Sequence, residues 1–252
     1  MYLFRDEDGE VLYAGKAKNI RRRLQSYRNA SRRKAHRKMR TLVRESTVLE
    51  VRLQPSERDA LLAENELIRT LRPPYNVDGA YTFLYPALGV GVLHHQTLLC
   101  FSTRIAGYSG LGLRWYGTFR SRHRTRDAFD ALVALLGMLG HREPRSRLPD
   151  LPAVRGSQLV GFRRIEELAP AIERLLAGES SAVLSELATR LLEKASARQD
   201  ASQVGEDLRR LDAFFQGDAC KLRSVLRAAG RPGGFADQDE RDALFIEYGA
   251  ES

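Results

Sequence analysis

The dipeptide Asp8-Gly9 lies between two short apolar tracts, Tyr2–Arg5 and Glu10–Gly15, and this arrangement commits the N-terminus to a β-hairpin. From Asn19 the period changes. Ile20, Leu24 and Tyr27 fall at i, i+4 and i+7 behind Asn19 as N-cap, which predicts a helix. Arg37–Arg44 continues as a basic helix with Met39, Leu42 and Val43 on one face. Val48–Leu53 alternates as a third strand. Pro55-Ser56-Glu57 then opens a helix whose Leu61, Leu62, Leu67, Ile68 and Leu71 face inward, and Pro73-Pro74 stops it. The pattern predicts an α+β unit, a three-stranded antiparallel sheet with flanking helices, that closes near Asn76.

Charge singles out the same region. The chain of 252 residues carries a net charge of +9, of which residues 1–76 hold +8. Lys16–Arg44 contains 13 basic residues in 29 positions and no Asp or Glu. Such a stretch points to a polyanionic partner, nucleic acid first. The apolar fraction of 43% is enough for a packed core. No apolar run reaches the roughly 18 residues of a membrane span, and acidic residues follow Met1 too soon for a signal peptide. Two cysteines, Cys100 and Cys220, cannot alone build a four-thiolate metal site, and a reducing, cytoplasmic setting is the expectation.

Beyond the first unit the sequence divides less sharply. Tyr81–Thr103 reads as further strand, residues 104–147 carry a net +6, and Ala128–Leu139 is helical. Leu148–Gly161, rich in Pro and Gly, reads as a linker, and Arg163–Phe215 as long amphipathic helices. Residues 148–252 have a net charge of −4. The expected segments are 1–78, a mixed basic segment 79–147, a mostly helical region 148–220, and a loosely ordered tail 221–252.

No phosphate-cradling glycine loop, paired-cysteine motif or His-Glu-x-x-His sequence is present, and the five histidines show no ligand spacing. A composite stands out instead. Tyr2 and Tyr13 lie on adjacent strands, Gly15 and Lys16 end the second strand, Arg23 sits on the following helix, Glu64 lies within the third, and Asn76 follows Pro73-Pro74-Tyr75. Together these resemble the GIY-YIG nuclease domain, and within it the UvrC-type excinucleases of bacterial nucleotide excision repair. Tyr2-Leu3-Phe4 stands for the first motif without its usual preceding Pro-Gly, and Tyr13-Ala14-Gly15 for the second. Gly15-Lys-Ala-Lys-Asn-Ile-Arg-Arg-Arg-Leu24, Glu57-Arg-Asp-Ala-Leu-Leu-Ala-Glu-Asn65 and Arg72-Pro-Pro-Tyr-Asn76 are similar to three further family stretches, in order.

The resemblance implies Glu64 as the single carboxylate on one Mg²⁺ or Mn²⁺ ion, with no iron–sulfur cluster, and Tyr13 as general base. Tyr2 would orient the water or phosphate. Lys16 and Arg23 would supply positive charge, Arg23 at the scissile phosphate, and Asn76 would brace the site. Lys18, Arg21, Arg22, Arg28, Arg32, Arg33, Lys34, Arg37, Lys38 and Arg40 would grip DNA phosphates without reading bases. The expected reaction is phosphodiester hydrolysis on the 3′ side of a lesion in double-stranded DNA. Trp115–Arg122 looks like a family segment beyond the domain. Glu193–Arg198 and Gly205–Asp212 resemble the two halves of a UvrB-binding hairpin whose aromatic junction is replaced by Ser202-Gln203-Val204. UvrB is therefore a candidate partner, and no membrane is expected. The four-Cys cluster, the RNase H-like nuclease and the helix-hairpin-helix domains of the family are not found, which suits a shortened homologue in the manner of the Cho proteins. Two alternatives stay open: a GIY-YIG nuclease of recombination or mobile-element processing, and a catalytically weak DNA-binding adaptor that recruits repair partners.

Overall fold

The computed structural model describes residues 1–30, 37–76, 85–149, 154 and 156–249. They form two compact units, Met1–Leu84 and Tyr85–Ser252. Among the described residues no helix is long and apolar enough to cross a membrane.

In the first unit β1 (Tyr2–Arg5) lies between β2 (Val11–Gly15) and β3 (Val48–Val51), antiparallel to both. The turn is built as its residues require. Gly9 takes φ 80°, and the Asp6 carboxylate accepts the N–H groups of Asp8 at 3.1 Å and Glu10 at 2.9 Å. Alternation along β1 feeds two separate clusters. Leu3, Ala14 and Val11 pack with Ile68 of α3 (Glu57–Leu71). Tyr2, Phe4 and Leu12 pack with Tyr27 of α1 (Ile20–Arg28) and Leu42 of α2 (Arg37–Glu45). The predicted cap forms, with Asn19 Oδ1 accepting from Arg22 N–H, and Ser56 Oγ caps α3 in the same way by accepting from Asp59 N–H.

Three details depart from the sequence reading. β3 ends at Val51, and Leu53 is 90% exposed. Val43 is exposed, because α2 is centred on Leu42. Leu71 is exposed as well. A 15-residue helix is about 22 Å long, whereas strands of 4–5 residues span roughly 13–17 Å, so the last turn of α3 overhangs the sheet.

The second unit is built on a five-stranded antiparallel sheet in the order β6-β4-β5-β8-β7. Its strands are β4 (Ala87–Leu93), β5 (Gln96–Ser102), β6 (Arg114–Gly117), β7 (His141–Arg142) and β8 (Gln158–Arg163). One face carries Val90, Leu99, Phe101, Val160 and Phe162 into a large core with the helices; the other packs Leu98 and Cys100 against Tyr108 and Leu111. The helices are α4 (Arg122–Leu139), α5 (Ala169–Leu176), α6 (Ala182–Leu192), α7 (Ala195–Gln199), α8 (Ala201–Phe214), α9 (Cys220–Ala228) and α10 (Gln238–Tyr248). A π-helical turn, Phe215–Ala219, joins α8 to α9.

The sequence divided this region differently. The stretch read as further strand contains a hairpin whose two-residue turn is His94-His95, at φ 47° and 60°. The expected linker ends in β8, which pairs with β5, so residues on both sides of 147/148 share one sheet. Its glycines serve close approach: a Cβ on Gly161 would lie 2.7 Å from Leu148. Residues 221–249, expected to be loose, form α9 and α10. They are tied down by Arg241, whose Nε donates to the Thr118 carbonyl at 3.0 Å, and by Ala236 N–H, which bonds Gly117 O at 2.8 Å.

Left-handed backbone is costly for histidine, by roughly 1–2 kcal/mol per residue, and two-residue hairpin turns favour Asn-Gly. The double substitution His94→Asn, His95→Gly is expected to stabilise the second unit by about 1 kcal/mol, a rise in Tm of roughly 2–4 °C. An unchanged or lower melting temperature in a calorimetric scan would count against strain at this turn.

Candidate active site

The site grows out of the pairing of β1 with β2. Tyr2 is the cross-strand partner of Gly15 and Phe4 that of Tyr13, so these four residues share the face covered by α1 and α2. The rings of Tyr2 and Tyr13 lie 6.1 Å apart between centroids. A Cβ on Gly15 would stand 2.7 Å from Tyr2 Oη and 2.8 Å from Tyr13 Cε1. The glycine that ends the second motif is therefore required by two phenol rings lying over its backbone.

Arg23, one turn into α1, is the hub. Its Nε donates to Tyr2 Oη at 2.9 Å, its guanidinium lies 5.3 Å over the ring centroid of Tyr27, and it also engages the Tyr13 hydroxyl. Tyr2 Oη and Tyr27 Oη share a hydrogen bond of 3.1 Å. Burial pushes the Tyr2 phenol up, and the bonds from Tyr27 and Arg23 only partly oppose it. Burial, then the Tyr2 hydroxyl, pushes Tyr27 up as well. Both stay protonated, which suits positioning and not proton acceptance. The Tyr2 hydroxyl in turn holds the Arg23 guanidinium firmly in its charged form.

At the end of β2 the Lys16 N–H donates to Glu64 Oε1 at 3.0 Å. Glu64 is half-buried. Desolvation raises its carboxyl, while the Lys16 N–H and the charges of Lys16 and Arg23 pull the other way. Asn76 is buried and bonds Ala14 twice: it accepts the Ala14 N–H at 2.8 Å and donates to the Ala14 carbonyl at 2.9 Å. β2 is an edge strand, so this amide completes the outward-facing backbone that no further strand pairs.

The donor chemistry bears on the metal. Among the described residues no group of three or more His, Cys, Asp or Glu side chains could hold an ion. A tetrahedral zinc site is therefore not provided. A single half-buried carboxylate fits Mg²⁺ or Mn²⁺, hard cations that take one or two carboxylates and keep several waters. Glu64 would be the protein's ligand.

A groove of about 430 Å³ adjoins this centre at Lys16 and Arg23 and is lined further by Lys18, Asn19, Arg22 and Ser26. A neighbouring cavity of about 870 Å³ shares Lys16, Lys18 and Asn19. Of the other cations, Arg21, Arg22 and Arg28 are exposed on α1, Arg37 and Lys38 are exposed on α2, and Arg40 is half-buried there. Arg32, Arg33 and Lys34 lie outside the described residues. Lys18 pairs with Glu57 at 2.7 Å, an exposed contact of small energetic weight that a phosphate can displace.

Sequence reasoning missed two participants. It placed Tyr27 on the apolar face of α1, yet the side chain bonds Tyr2 and carries Arg23. The available signal was spacing, because Tyr27 is four residues from Arg23 and so on the same side of the helix. Tyr75 was noted only as part of a motif; its hydroxyl donates to Glu45 Oε2 and ties the segment before Asn76 to α2.

A family model described as the UvrC-like GIY-YIG domain matches residues 1–77. The UvrABC system protein C of Alkalilimnicola ehrlichii is 35% identical over 136 residues, 52% of this chain and 21% of that protein. That of Porphyromonas gingivalis is 50% identical over 76 residues, 30% of this chain and 12% of the relative. That of Syntrophomonas wolfei is 30% identical over 148 residues, 58% of this chain and 24% of the relative. The chain thus spans about a quarter or less of the length of these curated relatives. Two of the similarities are longer than the 77-residue domain and so reach beyond it. With the tyrosine pair, arginine, glutamate and asparagine in the arrangement described, residues 1–77 are a GIY-YIG domain of the UvrC type.

Proposed function

We propose that this chain is a divalent-metal-dependent DNA endonuclease that hydrolyses a phosphodiester on the 3′ side of a lesion, in the cytoplasm, within UvrABC-type excision repair. The observation that carries this reading is the convergence of Tyr2, Tyr13 and Arg23 beside Glu64, in a domain of the UvrC type, next to a groove lined with cations. Damaged double-stranded DNA is the substrate and UvrB the partner.

Each residue then has a task. Arg23 stabilises the charge that builds on the scissile phosphate, from a position already fixed by Tyr2 and Tyr27. Tyr13 acts as the phenolate, favoured by the nearby cations, and takes the proton of the attacking water as the water oxygen bonds to phosphorus and the bond to the leaving oxygen breaks. Tyr2, kept neutral by burial, orients the reacting groups. Lys16 adds positive charge through its side chain and holds Glu64 through its N–H. Glu64 would hold a Mg²⁺ or Mn²⁺ ion, whose chemistry there would be charge neutralisation and help for the leaving oxygen.

The test is cleavage of a lesion-bearing duplex with Mg²⁺ or Mn²⁺, alone and with UvrA and UvrB, for wild type, Glu64→Gln and Tyr13→Phe. Both variants are expected to lose at least about 10²-fold in rate while binding DNA within a few-fold of wild type. Glu64→Gln should also melt at or above the wild-type temperature. The folded state raises the Glu64 carboxyl, so ionised Glu64 opposes folding above its unfolded pKa, and the amide removes that cost. Cleavage that survives both substitutions sinks the site assignment. Salt-sensitive DNA binding without cutting under any metal favours the adaptor reading.

A further inference from the structure

The second unit contains a cavity of about 510 Å³ at the N-terminus of α4, within the roughly 300–1,000 Å³ usual for small-ligand sites. Its walls are Thr118–Ser121, the π-helical turn with the start of α9, and α10. Four lining side chains are cationic, Arg120, Arg124, Lys221 and Arg241, against the single carboxylate of Asp218. That carboxylate is already engaged. Its Oδ2 accepts from Arg124 Nη1 at 2.9 Å, and its Oδ1 faces the Ser121 N–H at 3.4 Å. Arg241 is paired with Asp242 at 3.4 Å, so the positive charge left over belongs to Arg120 and Lys221.

Arg241 supplies the second, independent observation. It is only 3% exposed, with its guanidinium between the rings of Tyr85 and Phe245, 4.1 and 4.0 Å from their centroids. Its Nε donates to Thr118 O at 3.0 Å. Its Nη1 has a distant contact, 3.4 Å, with Asp242 Oδ1, an oxygen that also accepts the Tyr85 hydroxyl. Its Nη2 is buried with no hydrogen-bond partner among the described residues. Asp242 pairs with the guanidinium, yet a buried N–H without a partner remains costly. Burial disfavours the protonated guanidinium and Arg120 adds to this, while Tyr85 and Asp242 oppose it.

The opposite wall is specialised too. π-helical turns are rare and concentrate at functional sites, and this one turns Asp218 inward. A Cβ on Gly217 would meet the guanidinium of Arg124 and push the end of that side chain aside. Asp218 thereby fixes Arg124 and occupies the α4 N-terminus, and the remaining cations are free to meet a ligand.

We propose that this cavity binds a phosphate group between Arg120, Lys221 and the wall that holds Arg241. A doubly charged tetrahedral oxyanion matches several convergent donors better than a carboxylate does. The phosphate belongs either to a free phosphorylated compound or to a nucleic-acid strand. The site is independent of the nuclease reading and of its metal.

Hydrogen–deuterium exchange on the full chain tests it, with inorganic phosphate, pyrophosphate and a 5′-phosphorylated oligonucleotide as separate probes. The comparison variant is Arg120→Glu with Lys221→Glu, both exposed positions whose change leaves the core intact. Saturable protection of residues 117–124 and 215–222 is expected, with at least a tenfold weaker response in the variant. Protection by phosphate or pyrophosphate assigns a free phosphorylated ligand, and protection by the oligonucleotide alone assigns a strand phosphate. Absence of protection with every probe, or equal protection in the variant, overturns the proposal. Arg241→Lys removes Nη2 and also the Nε bond to Thr118, so it is paired with ligand-free exchange of residues 238–248; with that exchange at the wild-type level, binding should still be weakened.

Discussion

Arg23→Lys is expected to slow DNA cleavage by about 10²–10³-fold, nearly as much as Arg23→Ala, although it keeps the positive charge. The arginine does three things at once: it bonds Tyr2 through Nε, lies over the Tyr27 ring, and engages the Tyr13 hydroxyl. A lysine ammonium is a point charge without the planar fork, and it cannot hold these contacts while also meeting a phosphate. Stability should change little, by about 1 kcal/mol, because Tyr27 still bonds the Tyr2 hydroxyl. Single-turnover rates on a labelled duplex, paired with thermal melts, separate the two effects. A lysine variant that cuts within tenfold of wild type would remove Arg23 from the centre of the mechanism.

Asn76→Ala should be the most damaging single change to the stability of the first unit. The amide satisfies two buried backbone groups of Ala14, and each group left unpaired costs roughly 1–3 kcal/mol. Asn76→Asp tests the geometry further: the carboxylate can still accept the Ala14 N–H but turns a negative oxygen toward the carbonyl. Both variants are expected to lose several kcal/mol in urea unfolding, and cleavage with it, since Tyr13 and Gly15 flank the released residue. A loss below about 0.5 kcal/mol, the level of an ordinary surface change, would mean that water replaces the amide.

The sequence made the first unit readable because every signal there was local. The Asp-Gly turn, the Asn19 and Ser56 caps and the Pro73-Pro74 stop each act within a few residues, and all of them form. The second unit was harder. Its sheet is assembled by pairings such as Leu99 with Val160, sixty-one residues apart, so β8 within a Pro- and Gly-rich stretch gave no sign of its partner. The tail misled because Gly230–Gly234 reads as loose chain, whereas its docking depends on Arg241 and Thr118, more than a hundred residues apart. At the site, residue identities were legible but their connections were not. Tyr27 looked like core until its hydroxyl was seen to meet Tyr2.

One consequence of the three-stranded sheet concerns fidelity of assembly. In β1 the phenol of Tyr2 and the ring of Phe4 belong to one cluster, and Leu3 between them belongs to the other. A slip of one residue would exchange them, turning the aromatic rings toward α3 and a leucine toward Arg23. Such a chain would lose both cores along with the site. Misassembly is thus coupled to unfolding, and molecules that survive as folded first units are also those with their tyrosines and arginine in place.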